Sequence, residues 1–286
     1  MLTPEILKLA ALTSIFLLVV SIGLQAPVGA TLRVFTRADS RRKALCALAV
    51  MFLAVPALAW LAVRLGTPGG PAAAALLALA ISPTAPFLPR KQWKAGGDAD
   101  WVIALQVAAC LISVALAPVY LAIFSRIFAL SLEAPLAGMM KVLALTVVAP
   151  LLLGIAVQAS APGPALRLAH PVGLAGTLLL ALVVVLILVG VWPAVAAAAA
   201  TPALPVALLV CIGGVTLAHL LTPGPGPDRV SAAMASVSRH PGVAITLASV
   251  ALGGAQPELL ANVLLFLMVG TVVLAIYQVG SAREGR

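Results

Sequence analysis

The sequence predicts an all-α, polytopic membrane protein of about nine transmembrane helices, two of them broken. Three observations predict it. Of 286 residues, 63% are hydrophobic and 9% charged, and the mean hydropathy is +1.19, far from the balance of a water-soluble domain. Apolar runs of about 20 residues recur along the whole chain, each long enough to cross roughly 30 Å of hydrocarbon as a helix. Within two of those runs, prolines sit beside cations.

The runs place helices at about 5–25, 44–64, 71–95, 98–125, 140–159, 173–196, 204–221, 228–252 and 257–280. They are continuously apolar rather than alternating, which argues against a β-barrel. The first, Ile6 to Gly23, is not followed by a small-residue cleavage site and a polar mature domain, so it reads as a retained helix. Cys46, Cys110 and Cys211 stand alone in apolar segments without metal-ligand spacing and read as packing residues. No metal or cofactor is expected. The net charge of +9 does not point to nucleic acid, because the chain has no basic soluble surface.

The basic residues set topology instead. With the amino terminus outside, the inner segments carry Arg33, Arg37, Arg41, Arg42, Lys43, Arg167, Arg229, Arg283 and Arg286, against Lys8, Arg64, Arg126 and Lys141 outside. The positive-inside rule then puts the carboxyl terminus in the cytoplasm. A multi-pass protein of the cell membrane, bacterial inner membrane in particular, is the expectation.

The third segment contains SPTAPFLPRKQWKAGG from Ser82 to Gly97. Proline lacks an amide hydrogen and clashes with the preceding turn, so Pro83, Pro86 and Pro89 cannot all lie in one regular helix. The eighth contains SVSRHPGVA, where Pro241 and Gly242 follow Arg239 and His240. Arg239 is ten residues beyond Arg229, about 15 Å along a helix and therefore near mid-membrane. Paired interruptions of this kind point to a secondary transporter built on an inverted repeat, with its site at the breaks. An intramembrane cation without a charged sequence neighbour is read as functional. His240 could titrate there. Arg90 and Lys91 read equally as inner-surface anchors or site residues, and Lys94 as interfacial. Asp98 and Asp100 read as caps of the fourth helix, and His219 as a satisfied histidine.

The chain resembles the bile acid:sodium symporter family over nearly its whole length. The resemblance rests on GLQAPVG, the connector TRADSRRKALC, the stretch MFLAVPALAW, the gapless third segment from Ser82 to Asp98, and Gly242, Val243 and Ala244 closing the eighth. It implies a five-plus-five inverted repeat lacking the first of ten helices, in one transmembrane domain over 1–286. The repeats would run over about 1–126 and 139–282, with panel helices about 5–64 and 140–196 and core helices about 71–125 and 204–280 around two crossing broken helices. The residues that hold sodium in the family do not carry over. Its Ser-Asn pair falls on Leu88 and Pro89, its carboxylate on Ala235, its Gln and Asn on Arg239 and His240, a further Gln on Met51 and a Ser on Val102. A Thr position stays polar as Gln106.

The resulting expectation is a secondary transporter that moves a small organic anion by alternating access without the classical sodium sites. Arg239, with Arg90 or Lys91, would replace the ion, and His240 would be the group for any proton coupling. Thr84, Ser236, Ser238 and Gln106 complete the expected binding set. Pro83, Pro86, Pro89, Pro241 and Gly242 make the breaks. The alternatives are a sodium-coupled symporter of bile-acid-like anions and a non-transporting sensor or assembly protein on the same fold. An intramembrane enzyme is not expected, since no GxSxG, His/Glu metal cluster or paired intramembrane aspartates occur.

Overall fold

A continuously apolar chain must satisfy its backbone hydrogen bonds within itself, which a helix does. The computed structural model describes residues 4–85, 88–128, 140–141, 143–252, 254 and 256–284, and these are helical apart from short connections. α1 (Pro4–Leu24) is followed by a short amphipathic helix, α2 (Val28–Thr36), which buries Ala30 and Val34 and exposes Leu32 and Arg33. α3 spans Ala38–Gly66. The third predicted segment is two helices, α4 (Gly70–Ile81) and α5 (Leu88–Lys94). α6 (Ala99–Phe128) begins where the Asp98 carboxylate accepts from the Trp101 amide at 2.8 Å, the predicted cap.

After residue 143 come α7 (Ala144–Ser160), α8 (Pro162–Ala199) and α9 (Ala203–Leu221). The eighth predicted segment is again two helices, α10 (Gly226–Val237) and α11 (Pro241–Ala251), and α12 (Pro257–Glu284) closes the chain. Among the described residues, six helices are long and apolar enough to cross a membrane, in α1, α3, α6, α8, α9 and α12. The Gly70–Ile81 and Ala144–Ser160 helices are apolar but shorter.

α3 contains a π-helical turn at Val50–Ala54, and Pro56 accounts for its consequence. The Val55 amide bonds five residues back, to Val50 O. Met51 O would next need the amide of residue 56, and proline has none. A main-chain oxygen is thereby freed inside the protein. α7 repeats the device, with a π turn at Ala144–Val148 followed by Pro150.

Two packing groups result. α1, α7 and α8 pack on one another through small residues, Gly23 against Gly154 and Gly173 against Ser21. The second group surrounds α4, whose residues Ala72 to Ile81 are all buried, and contains α3, α6, α9, α11 and α12. α3 was expected beside α1 in the panel, within residues 5–64. It packs instead on α4 and α9, because the connector carrying α2 lets the chain cross before α3 begins. The groups meet where α8 lies along α12 and where Gly242 of α11 faces Ile15 of α1.

On the basic face, Lys43 Nζ lies 2.6 Å from Asp228 Oδ2 and 5.9 Å from the Trp101 ring, tying α3 to the start of α10 and to α6. The Asp228 side chain is 6% exposed, so removing its partner strands a buried carboxylate. Lys43→Ala is expected to cost about 2 kcal/mol, and Lys43→Arg to recover most of it. Thermal unfolding of the two variants in detergent measures both.

Candidate functional site

α4 ends at Ser82 because Pro83 follows, and α10 ends at Ser238 just before Pro241 starts α11. Ser82 and His240, each preceding a proline, are extended, at φ −70° and ψ 155° and at φ −81° and ψ 107°. The two unwound stretches cross and pair. Ala85 N–H donates to Ser238 O at 2.9 Å, and His240 N–H donates to Pro83 O at 2.9 Å. Thr84 and Arg239 face each other in this antiparallel bridge. Each break supplies main-chain partners that the other break lost, so the crossing is possible inside a hydrocarbon-facing bundle.

Not every predicted breaker breaks. Pro89 is the second residue of α5, where its missing amide costs nothing, and the helix continues through Arg90 and Lys91 to Lys94. Pro241 likewise opens α11 rather than interrupting it. Pro86 lies outside the described residues. The interruption is set by Pro83 on one side and by the Ser238 to His240 stretch on the other.

Arg239 is 1% exposed. Its Nε donates to Ser236 O at 3.0 Å, its NH1 to Ser82 O at 3.1 Å and its NH2 to Met51 O at 2.8 Å. Ser236 belongs to the last turn of α10, and Ser82 is the residue on which α4 ends. Met51 O is the oxygen that the π turn and Pro56 leave without a main-chain donor. The guanidinium therefore fills a cage of three carbonyl oxygens, two of them at helix carboxyl ends. Each such end carries about half a negative charge, so the two together offset about one positive charge. Among the described residues no carboxylate pairs with Arg239. The Phe52 ring lies 5.9 Å from its Cζ, and Phe52 O accepts from the Tyr120 hydroxyl.

Of the five guanidinium N–H groups, three are used in this way. Arg239 also lines a cavity of about 140 Å³ with Lys91, Ala85, Ser238, Thr271 and Gln278. His240 is buried at the amino end of α11, and its Nδ1 accepts from the Val243 amide at 3.4 Å. The hydrogen of the neutral ring then sits on Nε2, which is buried and has no hydrogen-bond partner among the described residues.

The other predicted residues divide. Thr84 Oγ1 donates to Gln106 Oε1 at 2.5 Å, and Gln106 Nε2 donates back to Thr84 O at 3.2 Å, so this pair braces the first break. Ser236 Oγ is turned to Gly214 O and Ala233 O, at 2.9 and 2.7 Å, and ties α10 to α9. Arg90 leaves the crossing and donates to His170 O of α8 at 3.1 Å. Lys91 stays at the mouth of the Arg239 cavity. His219 Nδ1 contacts the Tyr277 hydroxyl at 2.6 Å, the satisfied histidine expected. The resemblance aligned a ligand position with Met51, but sequence reasoning missed that α3 contributes a main-chain oxygen there: the local signal is Pro56 after Val50–Ala54, and a main-chain oxygen has no letter in a sequence.

A helical membrane protein with two unwound, crossing helices and a charge at the crossing has the build of a secondary transporter. The chain belongs to the Sodium Bile acid symporter family, which its residues 12–198 match. It is a membrane transporter of the bile acid/sodium symporter type by that membership. The match includes the first break and ends before the second, which contact with the first break places. No curated protein matches the chain.

Proposed function

We propose that this protein carries a small organic anion across the cell membrane by alternating access, with Arg239 in the place where a sodium-coupled relative would hold its ion. The observation that carries this reading is the guanidinium in its cage of three carbonyl oxygens. Unwound backbone and half-helix carboxyl ends are the groups that coordinate sodium in broken-helix transporters. A guanidinium already occupying them would repel a sodium ion at ~4 Å by roughly 4 kcal/mol at an effective dielectric near 20. Met51, Leu88, Pro89, Val102 and Ala235, on which the family's sodium ligands fall, have no side-chain oxygen to restore the site.

The anion would sit against the cavity-facing side of Arg239, with Ser238 and Thr271 beside it; the buried His240 Nε2, which has no described partner and does not line that cavity, would meet it only after the crossing rearranges. His240 is also the group through which a proton would be coupled. Lys91 would attract the anion to the cavity mouth. In this reading the chain crosses the membrane nine times as an inverted repeat, its amino terminus outside and its carboxyl terminus in the cytoplasm. The two broken helices count as one crossing each.

Uptake of radiolabelled organic anions into proteoliposomes, run with sodium, with potassium in its place, and across a pH gradient, tests the proposal. The expected result is uptake at equal rates with either cation. Flux that requires sodium would overturn the surrogate role of Arg239, and the absence of flux for every anion would favour a non-transporting role.

A further inference from the structure

Between α1 and α3, both long enough to cross the membrane, the chain runs through α2 and the start of the basic connector. α2 has 9 residues, about 14 Å of helix, so it lies at the membrane surface rather than through it. It packs on α3 and α6 and buries Ala30 and Val34. Val28 and Leu32, one turn apart on the side away from those two, are exposed, Leu32 by 58%. A connector that only set topology would have no use for exposed aliphatic side chains. A helix lying in the interface puts them among acyl chains, with cations along its polar edge.

Arg33, Arg37, Arg41 and Arg42 are all exposed, and among the described residues none of them is in an ion pair. Asp39 is the one carboxylate between Val28 and Lys43, and Lys43 is taken by Asp228. Four guanidiniums against one carboxylate leave a positive surface. Arg41 also heads an outward-facing row on α3: Leu45, Ala49 and Leu53 follow it at a spacing of four, all exposed, Leu45 by 54% and Leu53 by 61%. From Arg41 to Leu53 is about 18 Å of helix, close to the depth of one leaflet of a hydrocarbon core roughly 30 Å thick.

We infer that α2 and the first turns of α3 form a seat for an anionic phospholipid, with its phosphate at Arg37 and Arg41 and an acyl chain along Leu45, Ala49 and Leu53. Arginine forks match the oxygens of a phosphate, and each cation near an anionic surface adds to the attraction. A zwitterionic lipid brings its own cation and gains less. A soluble phosphorylated compound would meet the arginines but leave the leucine row unused, so the row selects a lipid. α2 is also where the chain passes from the group of α1, α7 and α8 to the group around α4. A lipid held there bears on how the two groups move against each other.

The purified full chain is titrated in detergent with dioleoyl phosphatidylglycerol and, separately, with dioleoyl phosphatidylcholine and with inorganic phosphate. Native mass spectrometry and thermal unfolding report binding. The wild type should bind phosphatidylglycerol in preference to phosphatidylcholine. Arg37→Gln and Arg41→Gln are each expected to weaken that binding about fivefold, and the double variant by more. Asp39→Asn should act in the opposite direction and strengthen it, and Leu45→Ser should weaken it although it removes no charge. Equal binding of phosphatidylglycerol by the wild type and the double variant, or equal binding of the two lipids by the wild type, overturns the seat. Displacement of the lipid by inorganic phosphate, with Leu45→Ser binding as the wild type does, overturns the assignment to a lipid. If the variants fail to fold, wild-type binding of phosphatidylglycerol that does not weaken with rising salt overturns it as well.

Discussion

Arg239→Ala is expected to reduce anion uptake to background and to lower the unfolding temperature of the purified protein. The variant leaves Ser82 O, Ser236 O and Met51 O without the donor they share. Each buried acceptor left unpaired costs about 1–3 kcal/mol, and the two converging helix ends lose the charge that offsets them. Arg239→Lys keeps the charge but cannot reach three carbonyls with a planar fork, and an intermediate phenotype is expected. The emptied cage gives a sharper readout. Sodium or free guanidinium should stabilise Arg239→Ala against heat, while choline should not, and none of the three should stabilise the wild type. Equal responses of variant and wild type would mean that the guanidinium is not a tethered stand-in for a cation.

Gly23→Leu should separate α1 from α7 and prevent accumulation of folded protein, and even Gly23→Ala should cost about 2–3 kcal/mol. A Cβ at this position would stand 2.4 Å from Leu151 O and 2.8 Å from the Gly154 Cα. Both are main-chain atoms of α7, so no side chain can turn aside. At Gly242 the added carbon would meet the end of the Ile15 side chain, which can rotate away. Gly242→Ala should therefore be the milder change, although it lies at the crossing. Detergent unfolding temperatures of the three variants measure the order, and a Gly242→Ala cost equal to that of Gly23→Ala would contradict it.

Much of this was legible from the residues alone. Continuous apolarity gave helices, and Pro83 and the short stretch before Pro241 marked the two interruptions, because proline holds the residue before it out of the helical conformation. Asp98 as a cap and His219 as a partnered histidine were readable for the same local reason. The cation at the second break was conspicuous because charge is rare in such a chain. Less local questions fared differently. Pro89 looked like a breaker and became the second residue of α5, since position within a helix, not identity, decides whether a missing amide matters. α3 looked like a neighbour of α1 and packs around α4, because order along the chain does not fix order in space.

The residue sequence by itself determined that this is a helical membrane protein with two unwound segments and a lone cation in one of them. Tertiary structure alone decided what that cation does: the crossing brings α4, α10 and the π turn of α3 together, and their carbonyl oxygens surround Arg239. The physical reason is that side-chain chemistry is written residue by residue, whereas a free backbone oxygen exists only where a helix ends or widens and finds its partner only once the chain has packed.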